Sequence, residues 1–410
     1  MTDSPPCHRF VFWLTTALAF STAVRTQGVT VAPTEKRFAY LLAGQSNTRK
    51  LTDAAPGCGN PTPGANVSFY TALATSPIVG FCAFPPPPSE PIQYLMQALG
   101  QLHAPHHVDV VLVGLDSSAL LERNILPGSQ AWVDSLAPSN AATLIHTLPH
   151  PDPFGALLSL PSVTSLLRGT VELHIVWCHG ETDCYPGATI TAAEYWLWAQ
   201  LVFAAIAAES GHTNYHVHLV TLGSIESPLQ DSSLANQVRD AFFEIDHSPL
   251  MVPWPQASIT TVAHYYDLPH MPNDAYHLTP CGYFTLAQRI ADGIQNPGLL
   301  PKVTDGPLVV ISDRDLQIDT TVPLAPNGMD ATRNHFFDVL VNGQPITNFA
   351  TQAQGSRLLI HVSTGGLLSA QAISVRHVPG SGHGRNWASG VPPHGTSGGL
   401  RPLEPFVKTL

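Results

Sequence analysis

Short apolar runs of five to eight residues, each closed by turn-forming residues and followed by a helical pattern, recur through the first 300 residues and constrain the fold more than anything else in the chain. Parallel strands cannot be joined by a tight turn. They need a crossover, and an amphipathic helix in that crossover covers the sheet. The strand-like runs are residues 38–43 (FAYLLA), 108–113 (VDVVLV), 171–178 (VELHIVWC), 216–221 (HVHLVT) and 259–263 (ITTVA). Helical patterns stand at 91–102, 192–209 and 280–294, where Leu286, Ile290 and Ile294 share one face. The expected class is α/β, a parallel sheet covered by helices. The long loops PGCGNPTPGANVS and FPPPPSEP fit neither pattern, and in an open α/β sheet such loops leave the carboxyl ends of strands and build the site.

Beyond residue 300 the pattern changes. PLVVISD, LQIDTTV, FFDVLVNGQPI, SRLLIHVS and AISVRHV are alternating or β-branched runs, parted by turns such as Pro326-Asn327-Gly328 and Asn342-Gly343. They predict a small antiparallel β-sandwich. The closing GSGHGRNWASGVPPHGTSGG is too rich in Gly, Pro and Ser for a strand and reads as a long loop. The expected organisation is an N-terminal segment over 1–30, an α/β domain over 31–300 and a β-rich accessory domain over 301–410.

Composition narrows the function classes. With 44% of 410 residues apolar, the chain can bury a substantial core. Only 11% are charged, Lys occurs at positions 36, 50, 302 and 408 alone, and the net charge is −11. Nucleic-acid binding needs a basic patch, so DNA and RNA are set aside as partners. The apolar stretch over residues 10–20 is of signal-peptide length, far short of the roughly 20 residues that span a bilayer. Ser21-Thr22-Ala23 offers a cleavage site. The expectation is an extracellular protein with no integral membrane span, or one held on a cell or virus surface; the other reading of this segment is an uncleaved arm.

Of six cysteines, Cys7 falls in that segment and Cys58, Cys82, Cys178, Cys184 and Cys281 remain. Cys58 and Cys82 flank a Pro- and Gly-rich excursion and are expected to close it as a disulfide. The Cys178 to Cys184 spacing is not that of a zinc site, and no metal is expected. Asn66-Val67-Ser68 is a glycosylation sequon, relevant only to a secreted eukaryotic chain. His103, His106 and His107 can catch a metal, yet they precede a strand and read as loop. Trp196 and Trp198 read as core, and Tyr265, Tyr266 and Met271 as either core or pocket lining.

Three polar blocks carry the chemistry. Leu42-Ala43-Gly44-Gln45-Ser46-Asn47 ends the first strand, where a tight turn holds the Ser46 hydroxyl at the mouth of the sheet. Asp274-Ala275-Tyr276-His277 precedes a helix anchored by Thr279-Pro280, and a carboxylate three residues from an imidazole can fix its tautomer. Asp267 and His270 form a second pair of this kind without that anchor. Trp177-Cys178-His179-Gly180-Glu181-Thr182-Asp183 ends another strand with a glycine, a polar donor and acids.

Together the blocks resemble the SGNH (GDSL-like) hydrolases, in particular the sialate O-acetylesterase and acetylxylan esterase-like branch, with Gly-Gln-Ser-Asn, Trp-x-Gln-Gly-Glu and Asp-x-x-His-Leu in that order over roughly residues 37–296. The resemblance implies a three-layer α/β/α domain that removes acetyl groups from carbohydrates without metal or organic cofactor. It makes Ser46 the nucleophile, His277 the general base and Asp274 its orienting carboxylate. Gly114, His179, Gly180 and Glu181 fall to the oxyanion hole and loop support, Glu181 being also a second partner for His277. Gln45, Asn47 and Asp183 are expected near substrate, although Asp183, like Glu181, is read mainly as loop support. The chain departs from the pattern at His179, where the branch has Gln, and at Gly114-Leu115-Asp116-Ser117-Ser118, where the family has a Gly-rich block. These departures sustain a reading from another class, a glycan-binding or structural protein, for instance on a virus particle, on a degenerate esterase scaffold. A third reading is an esterase or lipase with a non-sugar acyl substrate. The accessory domain is expected to bind glycan, seat the catalytic domain or mediate assembly on a particle or cell surface.

Overall fold

The computed structural model describes residues 35–72, 81–84, 89–114, 118–124, 131–133, 161–222, 232–247, 257–265, 268, 270–271, 274–326, 336–377 and 403–410. Lys36–Leu410 clusters as one compact unit. The N-terminal apolar stretch, Tyr266, Asn327 and Gly328 of the Pro326-Asn327-Gly328 turn and the Gly/Pro-rich run near the C-terminus lie outside the described residues, as do the side chains of Cys82 and Asp274.

The central sheet takes seven strands: β1 (Arg37–Gly44), β2 (Val67–Ala72), β3 (Phe81–Phe84), β4 (His107–Gly114), β7 (Glu172–Cys178), β8 (Tyr215–Thr221) and β9 (Ala257–His264). Their order is β3-β2-β4-β1-β7-β8-β9, parallel throughout except for the antiparallel edge strand β3. Between β4 and β7 lie the short parallel strands β5 (Ala119–Leu121) and β6 (Ala131–Val133). Helices are α1 (Ser46–Arg49), α2 (Glu90–His103), α3 (Pro161–Arg168), α4 (Ala192–Glu209), α5 (Ser232–His247) and α6 (Pro280–Gln295).

Side chains alternate faces along a strand, and β1 shows what that does. Ala39, Leu41 and Ala43 enter a core with α4 and α5, whereas Phe38, Tyr40 and Leu42 enter a second core with α2 and α6. Both faces of the sheet are thus covered, which is why the strands read as unbroken apolar runs. This is the three-layer α/β/α architecture. Trp196 and Trp198 pack, partly buried, against the α4 and α5 core. Helix α4 is apolar around most of its surface, and its start is fixed by a capping box between Thr191 and Glu194.

The chain builds the sheet outward from β1 in two directions, first to β2 and β4, then to β7, β8 and β9. The crevice at the carboxyl end of β1, between β4 and β7, is therefore the topological switch point where open α/β sheets bind ligands.

Beyond Pro301 two four-stranded antiparallel sheets enclose a third core. One runs β12 (Val309–Val310), β13 (Asp315–Asp319), β17 (Arg357–Val362), β16 (Phe349–Ala353); the other runs β15 (Gln344–Ile346), β14 (Phe337–Val341), β18 (Ile373–His377), β19 (Phe406–Thr409). Asn342 and Gly343, at φ 51° and 76°, make the primed turn between β14 and β15. Strands β16 and β19 and helix α5 carry weaker patterns than the runs named from sequence.

The C-terminal sheets seat on α5. Phe243 packs against their core, Arg376 forks onto Asp240 at 2.5 and 2.9 Å, and Lys302 bonds Asp246. His247 bridges Asp305, 2.9 Å from Nδ1, and Glu404, 3.2 Å from Nε2. Burial works against its charge, but the hydrogen bonds to Glu404 and Asp305 and the charges of Glu404 and Asp246 outweigh it and lift the imidazole to about 9. A base raised in the folded state lends stability that is complete below its unfolded value, roughly 6.5, and fades as pH rises through the folded one. Thermal unfolding followed from pH 6.5 to 10 should show a falling midpoint, and His247→Gln should flatten that decline; an equal decline in the variant would contradict the linkage.

Candidate active site

The Ser46 turn is shaped by close backbone contact. Gly44 ends β1 at φ 155°, and a Cβ there would sit 1.9 Å from the carbonyl oxygen of Cys178 and 2.3 Å from Thr48 Oγ1. That carbonyl accepts from the Gln45 N–H at 3.3 Å and from Thr48 Oγ1 at 2.9 Å, tying the turn to the end of β7. On the other side Gly114, paired with Gly44, leaves room for the backbone of Arg49, which a Cβ would approach to 2.6 Å. Helix α1 thus lies across two strand ends. Gln45, Asn47 and Thr48 are each 1% exposed, and Ser46 between them is only half-buried.

His277 reaches the same place from β11 (Asp274–Leu278), which pairs with β10 (His270–Met271) and packs against α1. Thr279 then caps α6 through the Gly282 N–H at 3.1 Å, with Pro280 in the first turn. A chain of buried hydrogen bonds joins the two loops. Asn47 Oδ1 accepts from the Tyr283 hydroxyl at 2.6 Å, and that hydroxyl accepts from the Leu278 N–H at 3.2 Å. The residue after Ser46 is therefore bonded, through one tyrosine, to the residue after His277. Asn47 Nδ2 donates to Glu181 Oε1 at 2.5 Å, and the Tyr265 hydroxyl donates to the same oxygen. Glu181 is 4% exposed and Tyr265 1%, so the network is internal. Burial pushes the Tyr283 phenol well up, which keeps its proton available for Asn47.

The third block has turned inward. Asp183, fully buried, accepts from the Leu120 N–H and from Asn124 Nδ2, both at 2.9 Å, and so fastens β5 beside the site. Burial raises its carboxyl to about 6 despite those bonds. His179 is 1% exposed, stacked on Trp177 with ring centres 4.9 Å apart, its Nδ1 3.0 Å from the Tyr195 hydroxyl. Burial pushes its imidazole down to about 3, the Ser118 backbone recovering only part of that, so His179 is neutral at physiological pH. A protonated His179 offering a donor to an oxyanion does not fit this placement. Gly180, at φ 126°, faces Val238 of α5, and its carbonyl accepts from Cys184 Sγ at 3.2 Å.

The structure thus brings the turn of Ser46, the strand of His277 and the Glu181 loop together. Residues Leu115 to Ser117 lie outside the described ones. Gln45 and Asn47, expected near substrate, are framework in this structure, since each is 1% exposed and its side chain is held by neighbours, and Asp183, fully buried, has the loop-supporting place read for it. Tyr265 is framework too. Tyr283 went unassigned in the sequence although Pro280-x-Gly282-Tyr283 stood beside His277; Leu120 and Asn124 carried no signal.

One expectation is corrected outright. Cys58 bonds Cys281, not Cys82, with Cα atoms 5.3 Å apart and 223 residues between them in sequence. Cys281 stands in the first turn of α6, so the bridge pins the loop after Ser46 to the helix after His277; a long-range bridge stabilises by about 2–4 kcal/mol. Among the described residues Cys178 and Cys184 are buried and form no disulfide. Asn66 Nδ2, the atom a glycan would occupy, donates to the carbonyls of Gly100 and His106 at 3.0 and 2.7 Å. His103 and His107 hydrogen-bond separately, to Tyr40 at 2.8 Å and Ser68 at 3.1 Å.

The chain matches no family model and no curated protein. Among solved structures it is similar in chain path to an Arabidopsis thaliana protein, with TM-score 0.40, 11% identity, and 63% of this chain and 97% of that one covered. A lipase/acylhydrolase from Enterococcus faecalis gives TM-score 0.33 and 14% identity over 64% of this chain and 96% of the other. Est24, a carbohydrate acetylesterase from Sinorhizobium meliloti, gives 0.31 and 14% over 63% and 98%. These likenesses are distant, and function has to be read from this chain's own residues.

Tyr283→Phe removes the hydroxyl that links the two loops and leaves the buried Leu278 N–H and Asn47 Oδ1 each short of a partner. Urea unfolding should register a loss of about 1–3 kcal/mol, while a change below about 0.5 kcal/mol would mean that the network is not holding the loops.

Proposed function

We propose that the chain is a serine hydrolase of carboxylic esters, and that its substrates are O-acetyl groups on carbohydrates. The observation that carries the proposal is the internal hydrogen-bond path from Asn47 through Tyr283 to Leu278, which holds a half-exposed serine and a half-exposed histidine on adjoining loops at the switch point. Nucleophilic catalysis by a hydroxyl needs such a base within reach, held by a rigid frame. In this reading Ser46 attacks the acetyl carbonyl while His277 takes its proton, and Asp274, at the start of the same strand, orients the imidazole. The Ser46 N–H supplies one oxyanion donor. The alcohol leaves with the proton from His277, and water then cleaves the acetyl-serine with His277 again as base.

The carbohydrate part of the reading rests on the motif resemblance around Ser46, Glu181 and His277. An extracellular or surface-held location is supported by the Cys58–Cys281 disulfide, since such bridges persist in oxidising compartments. Among the described residues no helix is long and apolar enough to cross a membrane.

The test is acetate release from 4-nitrophenyl acetate and from a panel of acetylated glycans. Ser46→Ala should lower turnover by roughly 10³-fold or more, with the unfolding midpoint unchanged. Native turnover no better than that of Ser46→Ala would overturn the enzyme reading in favour of a binding protein on the same scaffold.

A further inference from the structure

The opposite end of the sheet carries a second cluster of reactive side chains. Glu172 opens β7, His174 follows two residues later on the same face, and His216 of β8 pairs with His174 in the sheet register. Glu172 Oε2 lies 3.4 Å from His174 Nε2 and 3.9 Å from His216 Nε2. All three donor atoms fall within 4.8 Å of one another.

His174 is built into this cluster. It is 7% exposed, and its ring is stacked between Tyr40, centroid 4.2 Å away, and His216, 4.7 Å away. Its Nδ1 is 3.0 Å from His218 Nε2, whereas its Nε2, buried and directed toward Glu172 Oε2, has no hydrogen-bond partner among the described residues. A buried polar atom in this state calls for an explanation. Where the proton shared by the two rings stands on His174 Nδ1 and is donated to His218 Nε2, a lone pair is left on His174 Nε2. A second imidazole that fixes the tautomer of the first is the outer-shell arrangement typical of metal-bound histidine.

We propose that Glu172, His174 and His216 bind a divalent first-row transition metal ion of the zinc type, with water completing its coordination. Bonds of about 2.0–2.1 Å in a tetrahedral site put neighbouring donors roughly 3.3 Å apart. The Glu172 to His174 spacing already meets this. The longer one closes by rotation of His216 and Glu172, whose side chains are 40% and 48% exposed. Two imidazoles with one carboxylate suit such a metal better than calcium or magnesium, which prefer oxygen ligands. The cluster of Asp246, His247 and Glu404 is unlike it, because both His247 nitrogens already bond carboxylates and Lys302 bonds Asp246. The ion would clamp β7 to β8 at the strand ends remote from Ser46, so it stands apart from ester hydrolysis.

The experiment is calorimetric titration of the chelator-stripped full chain with Zn²⁺, and with Co²⁺ to read the visible absorption of the bound ion. One equivalent should bind with a dissociation constant in the micromolar range or tighter. Glu172→Gln and His216→Ala, each replacing a partly exposed side chain, should weaken that binding at least tenfold and abolish the Co²⁺ band, with unfolding in chelator and ester hydrolysis unchanged. No binding of Zn²⁺ by the native chain, or binding that both substitutions leave intact because other histidines hold the ion, would overturn the proposal.

Discussion

The Glu181 carboxyl, buried at the end of β7, is the point on which the arrangement of the candidate site depends. One of its oxygens takes hydrogen bonds from Asn47 and Tyr265, and Asn47 passes the connection through Tyr283 to Leu278. A hydrogen bond contributes roughly 0.5–1.5 kcal/mol net, and a buried polar group left without its partner costs about 1–3 kcal/mol. Four separate chain segments are therefore tied together, because breaking any one of these bonds takes a hydrogen-bond partner from a buried polar atom. Ser46 and His277 are passengers of that frame. Each sits one residue from a member of the network, so the bonds that fix Asn47 and Leu278 also set the backbone positions of Ser46 and His277.

A second layer reaches the same loop from the far side. Helix α5 packs Val238 against Gly180 and presents Asp240, Phe243, Asp246 and His247 to the C-terminal sheets. One helix therefore backs the Glu181 loop and seats the β-sandwich. The contact is rich in ion pairs: Arg376 on Asp240 is bidentate, and Lys302, His247 and Glu404 form a linked set with Asp246 and Asp305. Paired charges of this kind fix orientation more than they add stability, which fits a domain whose placement on α5 is specific.

Most of the fold was legible because parallel strands buried on both faces leave continuous apolar runs, and β1, β4, β7, β8 and β9 announce themselves as residues 38–43, 108–113, 171–178, 216–221 and 259–263. Helix α5 was not legible, since its apolar positions serve two different partners and its polar ones make ion pairs. The three site blocks were visible as motifs at strand ends, but a motif does not say which way a side chain turns. His179 and Asn47 look like substrate-facing groups in sequence and are buried in the structure, where their polar atoms bond neighbouring elements, whereas Asp183 supports a loop as its place beside Glu181 suggested. The disulfide was misread for a related reason. Cys82 is the nearer partner along the chain, but Cys281 is brought to Cys58 by the packing of α6, a relation that sequence distance hides.

The central claim is that Ser46 is an activated nucleophile supported by His277. Covalent labelling of the native chain with a fluorophosphonate, read by peptide mass spectrometry, tests it most directly. The account predicts one adduct, on Ser46, formed quickly by the native chain and suppressed in His277→Ala; rapid labelling at another serine, or equal labelling of Ser46 without His277, would contradict it.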